Sequence, residues 1–262
     1  MNSSLIILVI ASCFAVVAAA PQPKQEHPED PVPTVNVTTC GGLVDATSAT
    51  IEFQLGGSIR ADMRCVWIVR APYFTKRFNL VSSGLKESDG LYFTPQSKDG
   101  LGTSQKLGTI GQNVTIHQKI VIITLIVGHA PTFGFKLEYY SSGSNWNTDL
   151  TGYAVLATTK GNLTYPINGG NYRSFENALF PIAPTVPGQP TLRFTRVDLE
   201  VHSSCLYDSI KTYNWFNGEY RQVSMICGNI IPPSVTLQDG LGFVLFVSDI
   251  NNERTGFEFA YE

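Results

Sequence analysis

The sequence is short of nearly every group that does chemistry. Charged residues make up only 15% of it and the net charge is −3, with no large basic block. That leaves nucleic-acid binding and attachment to membranes through a polybasic patch without support. The four histidines, His27, His117, His129 and His202, stand singly, and no H-E-x-x-H segment occurs. A metallohydrolase centre therefore has no ligand set. No two cysteines have the C-x-x-C spacing of a zinc site. No serine sits in a G-x-S-x-G context or in the Gly-Asp-Ser-Gly-Gly surroundings of a trypsin-type nucleophile. Amphipathic helices of twelve or more residues are also missing. Together these gaps predict a protein that binds rather than catalyses.

What is present points outward from the cell. Hydrophobic residues reach 43%, enough for globular cores. The N-terminus reads "MNSSLIILVIASCFAVVAAAPQ", an apolar run that ends in small residues before Pro21. It is short for a bilayer span of about 20 residues and reads as a secretory signal over residues 1–19, cut near Ala19. No other segment is apolar enough to span a membrane. Of the five cysteines, Cys13 leaves with the signal, and Cys40, Cys65, Cys205 and Cys227 remain for an oxidising compartment. Three pairings are possible. Proximity favours Cys40–Cys65 and Cys205–Cys227, each closing a short loop for about 3 kcal/mol. Asn36-Val-Thr, Asn113-Val-Thr and Asn162-Leu-Thr are glycosylation sequons.

The chain divides by composition. Residues 20–39, rich in Pro and charge, read as an extended leader or a short propeptide. A dense region covers 40–140, a Gly/Ser/Asn-rich linker covers 141–152, and a second dense region covers 153–262. Both dense regions are built of short apolar or alternating runs such as "CVWIVRAP", "IVIITLIVG", "TLRFTRVDLEVHS" and "GFVLFVSD". Separated by turn residues, these predict an all-β protein with one sandwich in each half. The halves also repeat each other: "FGFKLEYY" matches "TGFEFAYE", "CVWIVRAP" matches "NALFPIAP", and "SDGLYF" matches "YDSIKTY". In that alignment Asn177 stands opposite Cys65.

At these residues the chain resembles the CUB domain family, extracellular modules folded as jelly-roll-like β-sandwiches. The first half carries "CGG", "CVWIVRAP", "SDGL" and "GFKLEYY". The second carries the more specific set: "LEVHSSCLYDSI", Cys227-Gly228, "FVSDINNERTGF" and "GFEFAYE". The resemblance implies two tandem modules. It usually implies two disulfides in each, whereas here each half keeps one pair. With both dense regions so assigned, no catalytic domain is expected.

The resemblance also gives the acids of "VDLEVHSSCLYDSI" a role. Taken alone, Glu200 reads as a charge on the polar face of a strand, and Asp208 and Asp249 as turn formers. Many CUB modules bind Ca²⁺ through a Glu, an Asp eight residues on, and an Asp in the loop before the last strand. Glu200, Asp208 and Asp249 match that pattern, Asn251 or Asn252 is placed to add an oxygen, and Tyr207 resembles a Tyr that borders the site. Ca²⁺ accepts six to eight such hard oxygens. The first half keeps Asp89, but Val81 stands eight residues before it and "VGHAPTFGF" has no acid, so only the second module is expected to take calcium.

The implied mode of action is docking of a partner's Lys or Arg on the calcium-ordered carboxylates Glu200, Asp208 and Asp249, helped by Tyr207. The expected partner is an extracellular protein. Glycan or cell-surface binding as a gland secretion (seminal, salivary or arthropod venom) and service as an accessory subunit or inhibitor of a secreted protease are the alternatives. Trp67 is expected in the core, with Trp215 and Phe216 exposed on a hairpin of "YNWFNGEY".

Overall fold

The computed structural model describes residues 35–145 and 150–262. The signal, Cys13 and most of the leader lie outside the described residues, as do residues 146–149 of the linker. The described residues contain twenty strands and no helix, so none of them forms a helix long and apolar enough to cross a membrane.

The first half contains β1 (Val35–Val37), β2 (Gly42–Asp45), β3 (Ser48–Ile59), β4 (Arg64–Arg70), β5 (Tyr73–Ser83), β6 (Gly90–Ser97), β7 (Gly100–Leu101), β8 (Gln105–Leu107), β9 (Asn113–His117), β10 (Ile120–Ile126) and β11 (Thr132–Asn145). The second contains β12 (Gly152–Tyr153), β13 (Gly161–Tyr165), β14 (Asn177–Ile182), β15 (Thr191–Asp198), β16 (Ser209–Phe216), β17 (Glu219–Ile226), β18 (Val235–Thr236), β19 (Gly242–Val247) and β20 (Gly256–Tyr261). Each half is a jelly-roll-like β-sandwich of two sheets.

The sequence repeat is a repeat of topology. The outer sheets run β1-β3-β11-β5-β9 and β13-β20-β15-β18, and the inner sheets run β2-β4-β10-β6-β7 and β12-β14-β19-β16-β17. Apart from β1 and from β8, which also pairs with β6, strands pair in the same order in both. One irregularity is shared as well: β5 bulges at Val81 against β11, and β15 bulges at Thr195 against β20. Gly134 of β11 and Gly256 of β20 also fill equivalent positions. A Cβ at either would collide with a backbone carbonyl of the neighbouring strand, that of Gln54 or Tyr165.

This register corrects the expected alignment by one residue. Leu125 of β10 pairs with Cys65, and its counterpart Phe246 of β19 pairs with Ala178. Ala178, not Asn177, therefore stands where Cys65 stands. The physical check is the face: Cys65 and Ala178 both point into their sandwich cores, whereas Asn177 points outward and bonds Gln96. The disulfides Cys40–Cys65 and Cys205–Cys227 are formed.

Three apolar layers hold the two sandwiches. One fills the first sandwich around Trp67, Phe53 and Phe135, and another fills the second around Phe180, Phe246 and Phe257. The third joins the outward faces of the two inner sheets: Val66, Ile68, Ile120 and Ile122 meet Leu179, Tyr213, Trp215 and Phe243. Trp215 is thus buried at the junction, 3% exposed, while its neighbour Phe216 is 45% exposed. The expectation of an exposed Trp215 fails because its strand face is covered by the other sandwich.

Lys76 is fully buried, and its Nζ donates to the carbonyls of Tyr73 and Gln118, with no carboxylate among those partners. Burial lowers its pKa to about 8. An unfolded lysine keeps its proton to about 10.4, so between those values the unfolded chain binds more protons and stability rises with pH. We expect denaturant unfolding at pH 9.5 to show a gain on the order of 1–2 kcal/mol over pH 7.5, reduced in Lys76→Met. Above pH 10 the sign reverses, because burial first of all raises the pKa of Tyr139, Tyr172 and Tyr220 in the folded state.

Candidate functional site

Three separate segments converge at one end of the second sandwich. β15 stops at Asp198, so Glu200 lies in the loop beyond it and not on the strand's polar face as expected. Leu199 N donates to Gly228 O, and Gly228 N donates back to Glu200 O, which pins the segment to the loop after Cys227. Asp208 sits immediately before β16, and Asp249 just after β19. Ligand atoms of the three carboxylates lie within 4.8 Å of one another.

Their partners differ. Asp208 is fully buried: Oδ1 accepts from Asp249 N at 2.9 Å, and Oδ2 accepts from the Tyr172 hydroxyl. Burial raises its pKa, the two hydrogen bonds pull the other way, and the neighbouring Asp249 and Glu200 charges raise it further. Glu200 Oε1 accepts from Asn252 Nδ2 at 2.6 Å, while Oε2 is buried with no partner. Asp249 Oδ1 accepts from Asn251 N at 2.9 Å. The side chain that reaches Glu200 is therefore that of Asn252, while Asn251 contributes its backbone N–H. Tyr207 is partly exposed beside Asp208, and its ring packs on His202 with centroids 4.4 Å apart. His202 Nδ1 in turn accepts from Ser204 N and Leu206 N, shaping the loop that carries Tyr207.

Tyr172 is the residue that sequence reasoning missed. Its hydroxyl donates to Asp208 and accepts from Glu200 N at 3.2 Å, so one side chain orients two of the three acids. Its segment is laced to the Asp249 loop: Phe175 N donates to Asp249 O, and Tyr172 N to Arg254 O. The register places Ile59 at this position in the first sandwich. An isoleucine opposite a tyrosine was the available signal.

The first sandwich has the same end without the cluster. Asp89 matches Asp208, and Gly128 N donates to it as Asp249 N does to Asp208. Counting on from the shared bulge puts Lys86, not Val81, at the Glu200 position, because the loop from there to the Asp is five residues shorter in the first half. A lysine and a glycine thus stand where the second sandwich has Glu200 and Asp249.

A divalent cation fits the donor set of the second sandwich. Three carboxylates held close in a partly buried site repel one another, and Glu200 Oε2 is a buried oxygen left without a donor. Carboxylate oxygens of this kind are the ligands that hard cations take.

The CUB domain family model matches residues 152–261. Procollagen C-endopeptidase enhancer 2 of Homo sapiens is 22% identical over 261 residues, covering 94% of this chain and 60% of its own length. Exoskeleton protein RP43 of Riftia pachyptila is 23% identical over 239 residues, covering 86% of this chain and 55% of its own. The chain thus spans three fifths or less of the length of these relatives. Among solved structures, the MASP-1 CUB2 domain bound to Ca²⁺ is 25% identical and covers 41% of this chain and 96% of its own, with a TM-score of 0.36. By sequence match and all-β fold, residues 152–261 are a CUB domain.

Proposed function

We propose that the chain is a secreted, non-enzymatic binding protein of two CUB modules. Its second module holds one Ca²⁺ on Glu200, Asp208 and Asp249, and a basic residue of an extracellular protein docks there. The observation that carries this reading is the convergence of three carboxylates from three segments, with one buried oxygen unpartnered. The ion would fix the loops and leave outer carboxylate oxygens able to accept charge-assisted hydrogen bonds. Tyr207 borders that position and offers its ring and hydroxyl to the incoming side chain. The Asn252 side-chain amide, which bonds Glu200 through Nδ2, is a further candidate ligand, with Asn251 beside it. Lys86 and Gly128 leave the first module calcium-free.

Service beside a secreted protease is the second reading. It is favoured by the match along 94% of this chain to a protein named as an enhancer of procollagen C-endopeptidase.

Calorimetric titration of the full secreted chain is expected to give one calcium per molecule, lost in Glu200→Ala. Capture of extracellular proteins on the immobilised chain is expected to reverse with EDTA. Absence of calcium uptake at millimolar concentration would overturn the reading.

A further inference from the structure

A groove of about 720 Å³ leads from Asp249 to the junction of the two sandwiches. Its composition changes along its length. Near the carboxylate cluster it is lined by Asp249, Ser248 and Tyr207. Its apolar part is Phe175, Leu206 and Met225, which are 63%, 74% and 42% exposed. Its far part holds Lys211 and, from the turn after β6 in the first sandwich, Lys98 and Asp99. Lys211 lies three residues along β16 from Asp208, about 10 Å at strand rise, and pairs across the ladder with Met225. Its Nζ donates to the Asp99 carbonyl at 2.7 Å. Two ammonium groups against the one Asp99 carboxylate leave that end positive. Glu176 also lines the groove, but it is buried, its charge is paired with that of Arg173, and both its oxygens are engaged, by Arg173, Tyr165 and Thr151.

The groove is therefore acidic at one end, apolar in the middle and basic at the other. A protein segment complementary to it carries a basic residue, then an apolar residue, then an acidic one. We propose that this groove reads the residues flanking the basic side chain docked at the cluster, so that the first sandwich takes part in choosing the partner. This rests on the reading that a basic residue docks at Glu200, Asp208 and Asp249. Several large apolar side chains exposed side by side, rimmed by charge of both signs, are the surface such recognition needs.

The probe is a pool of synthetic, end-blocked peptides with a central Lys and three randomised positions on each side. It is incubated with the full secreted chain in calcium buffer, and captured peptides are sequenced. Enrichment of an apolar residue beside the Lys, with Asp or Glu within three positions, is expected. Lys98→Glu, at an exposed position outside the calcium cluster, should weaken capture of the acidic members by about tenfold, and Lys98→Arg should not. Calcium-dependent capture of Lys peptides without flanking preference, or unchanged by Lys98→Glu, overturns the groove while the docking reading stands. Failure of all Lys peptides to bind the calcium-loaded chain overturns both.

The three sequons beyond the signal, Asn36, Asn113 and Asn162, carry a separate inference, because each sits on an edge strand of an outer sheet. Asn36 lies on β1 and Asn113 on β9, the two edges of the first outer sheet, and Asn162 lies on β13, an edge of the second. All three side chains are exposed. The remaining outer-sheet edge, β18, is only two residues long. Open edges pair with other chains unless something blocks them. We infer that N-linked glycans on Asn36, Asn113 and Asn162 guard these edges against edge-to-edge association. Peptide mapping of protein secreted from glycosylating cells should find all three occupied. Trimming the folded protein with an endoglycosidase should convert a monomer in sedimentation velocity into a concentration-dependent oligomer. An unoccupied sequon, or a trimmed protein that stays monomeric over the same range, overturns the inference.

Discussion

Asp208→Asn is expected to weaken calcium binding by about a hundredfold, ~2.7 kcal/mol, while leaving the calcium-free protein at least as stable as the wild type. The two effects separate because Asp208 does two jobs. As an acceptor it takes a hydrogen bond from Asp249 N, and a carboxamide oxygen can take the same bond. As a charge it is fully buried beside Glu200 and Asp249, and both burial and those neighbours disfavour its ionised form. Asparagine keeps the acceptor and removes the charge. Its amide hydrogens then face the Tyr172 hydroxyl, which can accept where it formerly donated. Calcium in tenfold excess over its dissociation constant should add about 1.4 kcal/mol to wild-type stability and nothing measurable to the variant. Thermal unfolding with and without calcium, beside calorimetric titration, checks both halves. Tyr172→Phe is the contrasting case. It strips a donor from Asp208 and an acceptor from Glu200 N, so it should lower calcium-free stability by about 1–2 kcal/mol. A variant at Asp208 that loses stability yet takes up calcium as the wild type does would assign Asp208 a purely structural role and overturn its place among the ligands.

Much of this end of the molecule was legible because it is written in short-range signals. Alternation and turn residues marked the strands, and the match of "FGFKLEYY" with "TGFEFAYE" marked the equivalent last strands of the two halves. The spacing of Glu200, Asp208 and Asp249 matched a pattern whose side chains do converge. What stayed hidden depended on register or on packing at a distance. A five-residue difference in loop length moved the position opposite Glu200 from Val81 to Lys86. A one-residue slip hid Ala178 behind Asn177. Tyr172 reaches the acids through the fold, and no spacing in the chain announces it. The junction did leave a trace. "CVWIV" and "IVIITLI" are apolar on both faces, and a strand covered on only one side would alternate. Val66, Ile68, Ile120 and Ile122 are the residues that break the alternation, and they are the ones the second sandwich covers.

Trp215→Ala should cost about 3–5 kcal/mol and divide a single unfolding transition into two. Trp215 stands edge-on to Tyr92 of the first sandwich at 4.9 Å and to Tyr220 of its own at 4.6 Å. Tyr220 packs on Phe243 and shares a hydrogen bond of 2.9 Å with Thr124 of the first sandwich. Removing the indole opens a void in the layer between the inner sheets and takes a ring contact from both tyrosines. The cores around Trp67 and around Phe257 are separate clusters and lose nothing. The damage therefore falls on the coupling between sandwiches, and calorimetric scanning should resolve them. Phe216, one residue on, stacks only its exposed ring beneath Arg221, and Phe216→Ala should change stability by no more than about 0.5 kcal/mol. The same variant separates the two levels of the proposed recognition. The carboxylate cluster lies wholly in the second sandwich, so Trp215→Ala should still take up calcium. Lys98 reaches the groove only because the sandwiches are locked together, so the preference for an acidic flanking residue should disappear with the lock.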